Sequence, residues 1–263
     1  MLYVHQRRIL SAFLLFGMLI STAHAERRSP VLLQLDDSNP PFMYAIDGEP
    51  AGVYPALVKA VFARAGVPVQ LQAKPWVRVL NDVDRGHGGI GGVYRTNQRA
   101  RKWDFSTPLL TENIAVFLRK DANWTFADFS DLNDRTIGTV RGWSYGESFD
   151  TARAIPLLSA EDTQSDRINL RKLASGRLDA VLAVEEAGNI ALKSMGISTI
   201  APAGRYLSAN PAHIAFAKSS GRTALLQQLN KAIADLKREG EINRIFMQEL
   251  SRYTAAEALQ SPQ

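Results

Sequence analysis

The sequence predicts an α/β protein of two lobes, each a mostly parallel sheet flanked by helices. Three observations carry this. Short apolar strands alternate with amphipathic helices, the alternation restarts at TIGTV, and no low-complexity linker or repeat separates the halves. A chain of 263 residues with 46% hydrophobic and 22% charged residues has the composition of a globular protein, which excludes a disordered one.

Taken in order, VLLQLDD reads as a strand, and the two prolines of SNPPF end it because proline cannot donate to a ladder. PALVKAVFARAG reads as a helix: Pro55 suits the first turn, Leu57, Val58, Val61 and Phe62 share a face, and Gly66 stops it. VPVQLQA returns as a strand, WVRVLNDVDRG is a second amphipathic helix, GGIGGVY a short glycine-rich strand or loop, and NIAVFLRK a strong strand.

The second unit runs from TIGTV through a helix beginning near Ser144, helix DRINLRKLASG, strand LDAVLAV and a helix from Glu185. HIAFAK adds a strand. The tail from Gly221 is helical, with Leu226, Leu229, Ile233 and Leu236 on one face and Gly240 as a break.

The N-terminus has Arg7 and Arg8, the apolar run Ile9 to Ile20, and small residues in A-x-A form at Ala23 and Ala25, the pattern of a secretory signal cleaved after Ala25. A run of that length, at about 1.5 Å per residue, falls short of the roughly 30 Å hydrocarbon core. The mature chain is therefore expected to be soluble and periplasmic. Its net charge of about +3 is spread without basic blocks, so nucleic acid is not an expected partner. The absence of cysteine excludes disulfides, thiolate metal ligands and a cysteine nucleophile, and no metal or cofactor is expected.

GWSYG spells G-x-S-x-G after a strand, the form of a hydrolase nucleophile elbow, and Ser144, Asp179 and His213 follow the hydrolase order. Against this alternative, His213 opens an apolar strand and Asp179 lies at the start of one, the wrong end for catalysis in an open α/β sheet. The second reading is anion binding: a turn of small residues before a helix offers unpaired N–H groups, Ser144 adds a donor, and Trp143 or Tyr145 a wall. A further anion candidate is Tyr94 to Arg101, which carries three arginines, and arginine's planar fork grips a carboxylate through two parallel bonds.

In this stretch T-x-x-R followed by D-F-S-x-P, here Thr96, Arg99, Asp104, Phe105, Ser106 and Pro108, closely resembles the extracellular solute-binding proteins of family 3, the periplasmic amino-acid-binding group. NPPF, GVYPALV, GRLDAVLAV and NKAIADLKREGEINRI extend the resemblance over nearly the whole mature chain. It implies a type II periplasmic-binding fold, with residues 26–117 plus 208–263 as one lobe and 118–207 as the other. The lobes close like a flytrap on one small anionic or zwitterionic ligand for a membrane permease or a sensor receptor, with the protein acting as a monomer and not as an enzyme. A dehydratase branch keeps an enzyme on this fold as an alternative.

The resemblance assigns the ligand carboxylate to Arg99, helped by a backbone N–H near Tyr94 and by the turn containing Ser144 and Trp143. The family's ammonium-binding aspartate falls on Val184, which leaves Glu185 or Glu186 as its nearest substitutes. Asn39 replaces the usual aromatic before P-P-F, and Tyr54 and Pro55 replace a common acidic pair. P-W-x-R, with Trp76 and Arg78, resembles a less characterised branch and makes Trp76 a candidate cleft wall.

Overall fold

β1 (Val31–Asp36) is the first element of the chain in a computed structural model that describes residues 29–153 and 158–260. The leader expected at residues 1–25 lies outside them. The Pro-Pro-Phe loop after β1 is bracketed by β2 (Ser38–Asn39), β3 (Met43–Ile46) and β4 (Glu49–Ala51), a small antiparallel sheet that the alternating pattern did not announce because its strands are too short to show a period. α1 (Val53–Arg64) follows, with Leu57, Val58, Val61 and Phe62 fully buried as expected. Its free N-terminal N–H groups are met by the loop: Val53 donates to the Pro41 carbonyl at 3.1 Å and Tyr54 to that of Phe42 at 2.8 Å. Gly52 makes this approach possible, since φ is +105° and a Cβ there would lie 2.5 Å from the Pro41 oxygen.

β5 (Val69–Lys74), α2 (Trp76–Asp84) and β6 (Gly89–Tyr94) complete a parallel wing in which β1 pairs with β5 on one side and β6 on the other. Thr96 caps the short α3 (Asn97–Lys102) by accepting from the Arg99 N–H, and β7 (Trp103–Phe105) leads to β8 (Leu110–Arg119). A second parallel wing contains β9 (Thr136–Val140), α4 (Glu147–Ala152), β10 (Ser159–Thr163), α5 (Asp166–Ala174), β11 (Ala180–Val184) and α6 (Glu185–Ser194), with β9 between β10 and β11. β12 (Ile200–Ala217), α7 (Thr223–Arg238) and α8 (Glu241–Gln260) end the described chain, and Gly240 separates the two helices as expected.

The two wings are not separate sheets. β8 and β12 run antiparallel between them, so the order is β10-β9-β11-β8-β12-β6-β1-β5 in one path. HIAFAK is only the end of β12, because a strand that serves both wings must be long enough to pair with β8 over residues 200–212 and with β6 over 212–216. β8 shows why a continuous apolar run is required. Ile114, Val116 and Leu118 face the main core, whereas Ala115 and Phe117 face a second cluster with Leu170, Leu173 and Val181, so both faces are covered. Gly188 in α6 lets that helix approach closely: a Cβ there would stand 2.2 Å from the Phe117 ring.

Candidate functional site

Arg99 stands at the junction of the wings. Thr96 starts α3 one turn earlier, so the guanidinium turns back under the β6 end, where Nη1 donates to the Tyr94 carbonyl at 2.9 Å. Nη2 reaches the opposite wing and donates to the Gly142 carbonyl at 3.2 Å. Trp76 meets the same oxygen, its indole Nε1 donating at 3.0 Å, so one carbonyl of the GWSYG turn holds two donors from the first wing. The guanidinium carbon lies 6.0 Å from the Trp76 ring centre and 5.9 Å from that of Trp103. No carboxylate forms an ion pair with Arg99 among the described residues. Burial lowers its pKa to about 10, with Asp150 the largest charge acting the other way, and the cation is still fully formed at neutral pH.

A tight crevice lined by Met43, Trp76, Tyr94, Arg99, Trp143 and Ser144 lies on one side of the guanidinium. On the other, a wider cavity of about 340 Å³ opens between α3 and α4 and shares Arg99, Gly142, Trp143 and Ser144. Arg99, Tyr94, Trp76, Trp143 and Ser144 are thus brought together, with the Trp76 and Trp143 rings 6.0 Å apart at 49°. The Trp143 indole N–H is buried without a well-formed hydrogen bond, and it acts on the Asp36 carboxylate, opposing the rise in that group's pKa. A cavity of about 490 Å³ beside α7 and α8 contains, of the candidate residues, only Glu186.

Four expectations are corrected. The helix after TIGTV starts at Glu147, not near Ser144, and Gly146 occupies the cap position. Ser144 instead donates its hydroxyl to the Asp150 carboxylate, which also accepts the Tyr145 N–H at 3.1 Å, so an acid of α4 already uses the donors that the turn was expected to offer an anion. Glu185 is turned away: its carboxylate accepts from the exposed Tyr206 hydroxyl at 2.6 Å, outside the crevice. Asn39 is buried in a neighbouring small cavity beside Asp166, not in the crevice with Arg99.

The hydrolase constellation does not form. His213 Nδ1 donates to the Ser106 carbonyl at 2.7 Å, and Asp179 accepts the Thr136 N–H at 2.8 Å, while Ser144 is held by Asp150. Each group has its own local partner. Ser106, from the D-F-S-x-P segment, has a structural task, since its Oγ accepts the Ile214 N–H at 2.9 Å and ties that segment to β12.

Sequence reasoning missed two buried acids, Glu112 and Asp36, and a half-buried one, Asp166. Glu112 in β8 accepts hydroxyl hydrogens from Tyr54 and Tyr94, and burial raises its pKa to about 7 against the opposing effect of those two bonds. Asp36 ends β1, with a pKa raised by burial to about 6, and Asp166 opens α5, with one raised by burial to about 7. Glu112 was legible as the one acid in β8. Asp36 was legible as an acid at the carboxyl end of a strand, where ligands gather in open α/β sheets.

Comparison with known proteins adds a family. The family model of the bacterial extracellular solute-binding proteins, family 3, matches residues 31–250. The L-cystine-binding protein TcyJ of Escherichia coli (strain K12) is 26% identical over 224 residues, which cover 84% of this chain and 82% of TcyJ. Among solved structures, a histidine kinase sensor domain with similarity to periplasmic binding proteins superposes with a TM-score of 0.74 at 22% identity, covering 84% of this chain and 96% of that domain. The arginine-, lysine-, histidine-binding protein ArtJ from Geobacillus stearothermophilus gives 0.71 at 18% identity, over 84% of this chain and 94% of ArtJ. At these identities the superpositions establish the periplasmic-binding-protein fold.

Proposed function

The chain belongs to the bacterial extracellular solute-binding proteins, family 3, and from that premise we propose that it binds a small carboxylate-bearing solute, an amino acid or derivative, in the crevice around Arg99. The observation that carries this reading is a guanidinium at the junction of the two wings with no acid paired to it. A solute carboxylate replaces the Gly142 carbonyl on Nη2, and each charge-assisted bond contributes roughly 1.5 to 3 kcal/mol.

The wings act as two lobes, 26–117 plus 208–263 and 118–207. The boundary after residue 117 falls inside β8 and that before residue 208 inside β12, which supports a hinge through these two strands. A solute touching Arg99 and Trp76 from one lobe and the 142–144 turn from the other makes its full set of contacts only when the lobes are together. Binding therefore shifts the population towards the closed form. The aromatic walls Trp76 and Trp143 cover the apolar part of the solute. Tyr94 contributes backbone and ring, and Ser144 acts through Asp150 by shaping the turn.

The role is recognition and not chemistry, because Ser144, Asp179 and His213 are engaged separately. The partner that reads the closed shape is an ABC-type permease or a membrane sensor, and both kinds occur among the similar proteins. The protein works as a monomer in the periplasm, delivered by the leader at residues 1–25. Thermal unfolding of the protein across a panel of amino acids and other small carboxylates tests the reading. A true ligand at about 100 times its Kd adds roughly 2.7 kcal/mol of stability. No stabilisation by any carboxylate, or ester hydrolysis lost in Ser144→Ala, contradicts it.

A further inference from the structure

We propose that Glu112, the partition between the Arg99 crevice and the cavity beside α7 and α8, couples solute binding to the uptake of one proton from the medium. The inference deepens the solute-binding reading and rests on it. Glu112 lines both spaces. It stands in the crevice wall with Tyr94, Arg99 and Ser144, and in the wall of the 490 Å³ cavity with Glu186, Lys237 and Asn243. Only 6% of the residue is exposed.

The groups that face this acid come from several elements. Tyr54 of α1 and Tyr94 of β6 direct their hydroxyls at its two oxygens, one each. Glu186 of α6 and Lys237 of α7 flank it in the cavity, and Arg99 of α3 flanks it in the crevice. Asn210, opposite it in β12, and Asn243 of α8 are neutral. No cation pairs with Glu112 among the described residues. Burial is the largest influence and raises its pKa to about 7, the two tyrosines oppose the rise, and the Glu186 charge adds to it. The acid is therefore divided between its two forms at neutral pH.

A solute carboxylate at Arg99 brings a negative charge into the same narrow crevice and displaces water that would screen it. Like charges in a water-poor space disfavour each other's ionised forms, so the complex holds Glu112 protonated to higher pH than the free protein does. The balance is simple: one solute anion and one proton enter, and the Glu112 carboxylate becomes a carboxylic acid. Its hydrogen is accommodated because a tyrosine hydroxyl oxygen accepts as well as donates. The proton arrives from the cavity, which a solute in the crevice does not cover and whose size and polar wall admit water. By linkage, affinity is greatest below about pH 7 and weakens as pH rises through the raised value.

Calorimetric titration of the whole protein with hexanoate, L-leucine, L-glutamine and L-arginine tests this. The probe that binds most tightly is followed from about pH 6 to about pH 8 in two buffers of different ionisation enthalpy. Its affinity should fall about fivefold across that range, with a net uptake of roughly half a proton near pH 7.5. In the neutral isostere Glu112→Gln the uptake should vanish and the profile flatten, so that near pH 8 the variant binds about fivefold more tightly than the wild type. A purely structural role for Glu112 gives no such gain. Tyr54→Phe removes a bond that opposes the rise and should move the midpoint of the profile to higher pH. A wild-type affinity independent of pH, or a midpoint that Tyr54→Phe leaves in place or lowers, overturns the coupling. Asp36 and Asp166, with pKa values of about 6 and about 7, titrate in the same range, and a profile that survives Glu112→Gln belongs to them and also overturns it. If a probe binds and Arg99→Ala abolishes it while no proton is taken up, the coupling falls and the solute-binding reading stands. Absence of binding by all four probes overturns the coupling, and the wider carboxylate panel then decides the reading beneath it.

Discussion

At the scale of single residues, the site is governed by which buried charges are satisfied. Arg99 spends its donors on two backbone carbonyls, partners that a carboxylate can outcompete because a full negative charge accepts more strongly than a peptide oxygen. Glu112 shows the opposite arrangement, an acid fully enclosed with two tyrosine hydroxyls. Its pKa is raised from 4.5 to about 7, so the folded protein holds the proton more firmly than the unfolded chain. The stability this contributes is complete below about pH 4.5 and is lost as pH rises through about 7. The stability of the wild type relative to Glu112→Gln should therefore fall by on the order of 3 kcal/mol between pH 4.5 and pH 8. Urea unfolding at both pH values measures it, and a pH-independent difference would contradict the burial argument.

At the scale of elements, the loop before α1 is the most constrained joint. Its carbonyls accept from the first N–H groups of α1, and Gly52 has the only kind of backbone and side chain that admits them. Gly52→Ala should cost about 2 to 4 kcal/mol in urea unfolding, because it combines positive φ with an overlap against backbone that cannot step aside. A cost below about 0.5 kcal/mol would show that the loop is not fixed in this way. The alternation of strands and helices was legible in the sequence because period and burial agree: α1, α7 and the buried strands β8 and β11 each expose one repeating pattern. β2 to β4, α3 and the partly exposed strand β10 were not legible, since two to six residues hold no period and SAEDT is polar. The start of α4 was misread because Ser144 looks like a cap, whereas Asp150 from the following turn claims its hydroxyl. Arg99, Trp76 and Trp143 were legible through local motifs.

At the scale of the whole molecule, two parallel wings joined by the antiparallel strands β8 and β12 put the carboxyl ends of β1, β6 and β9 around one gap. The same carbonyl of Gly142 receives Trp76 and Arg99, so the two wings meet on a contact that polar solutes can replace. On the proposed function, a solute carboxylate takes that place on Arg99. A double-substitution cycle tests it most directly: the affinities of wild type and Arg99→Ala for a stabilising amino acid and for its carboxamide, measured by calorimetry. Amidation and Arg99→Ala should each weaken binding about 100-fold or more, and the two together should weaken it little further, because both remove one interaction. A carboxamide bound as tightly as the acid, or two losses that simply add, would contradict it.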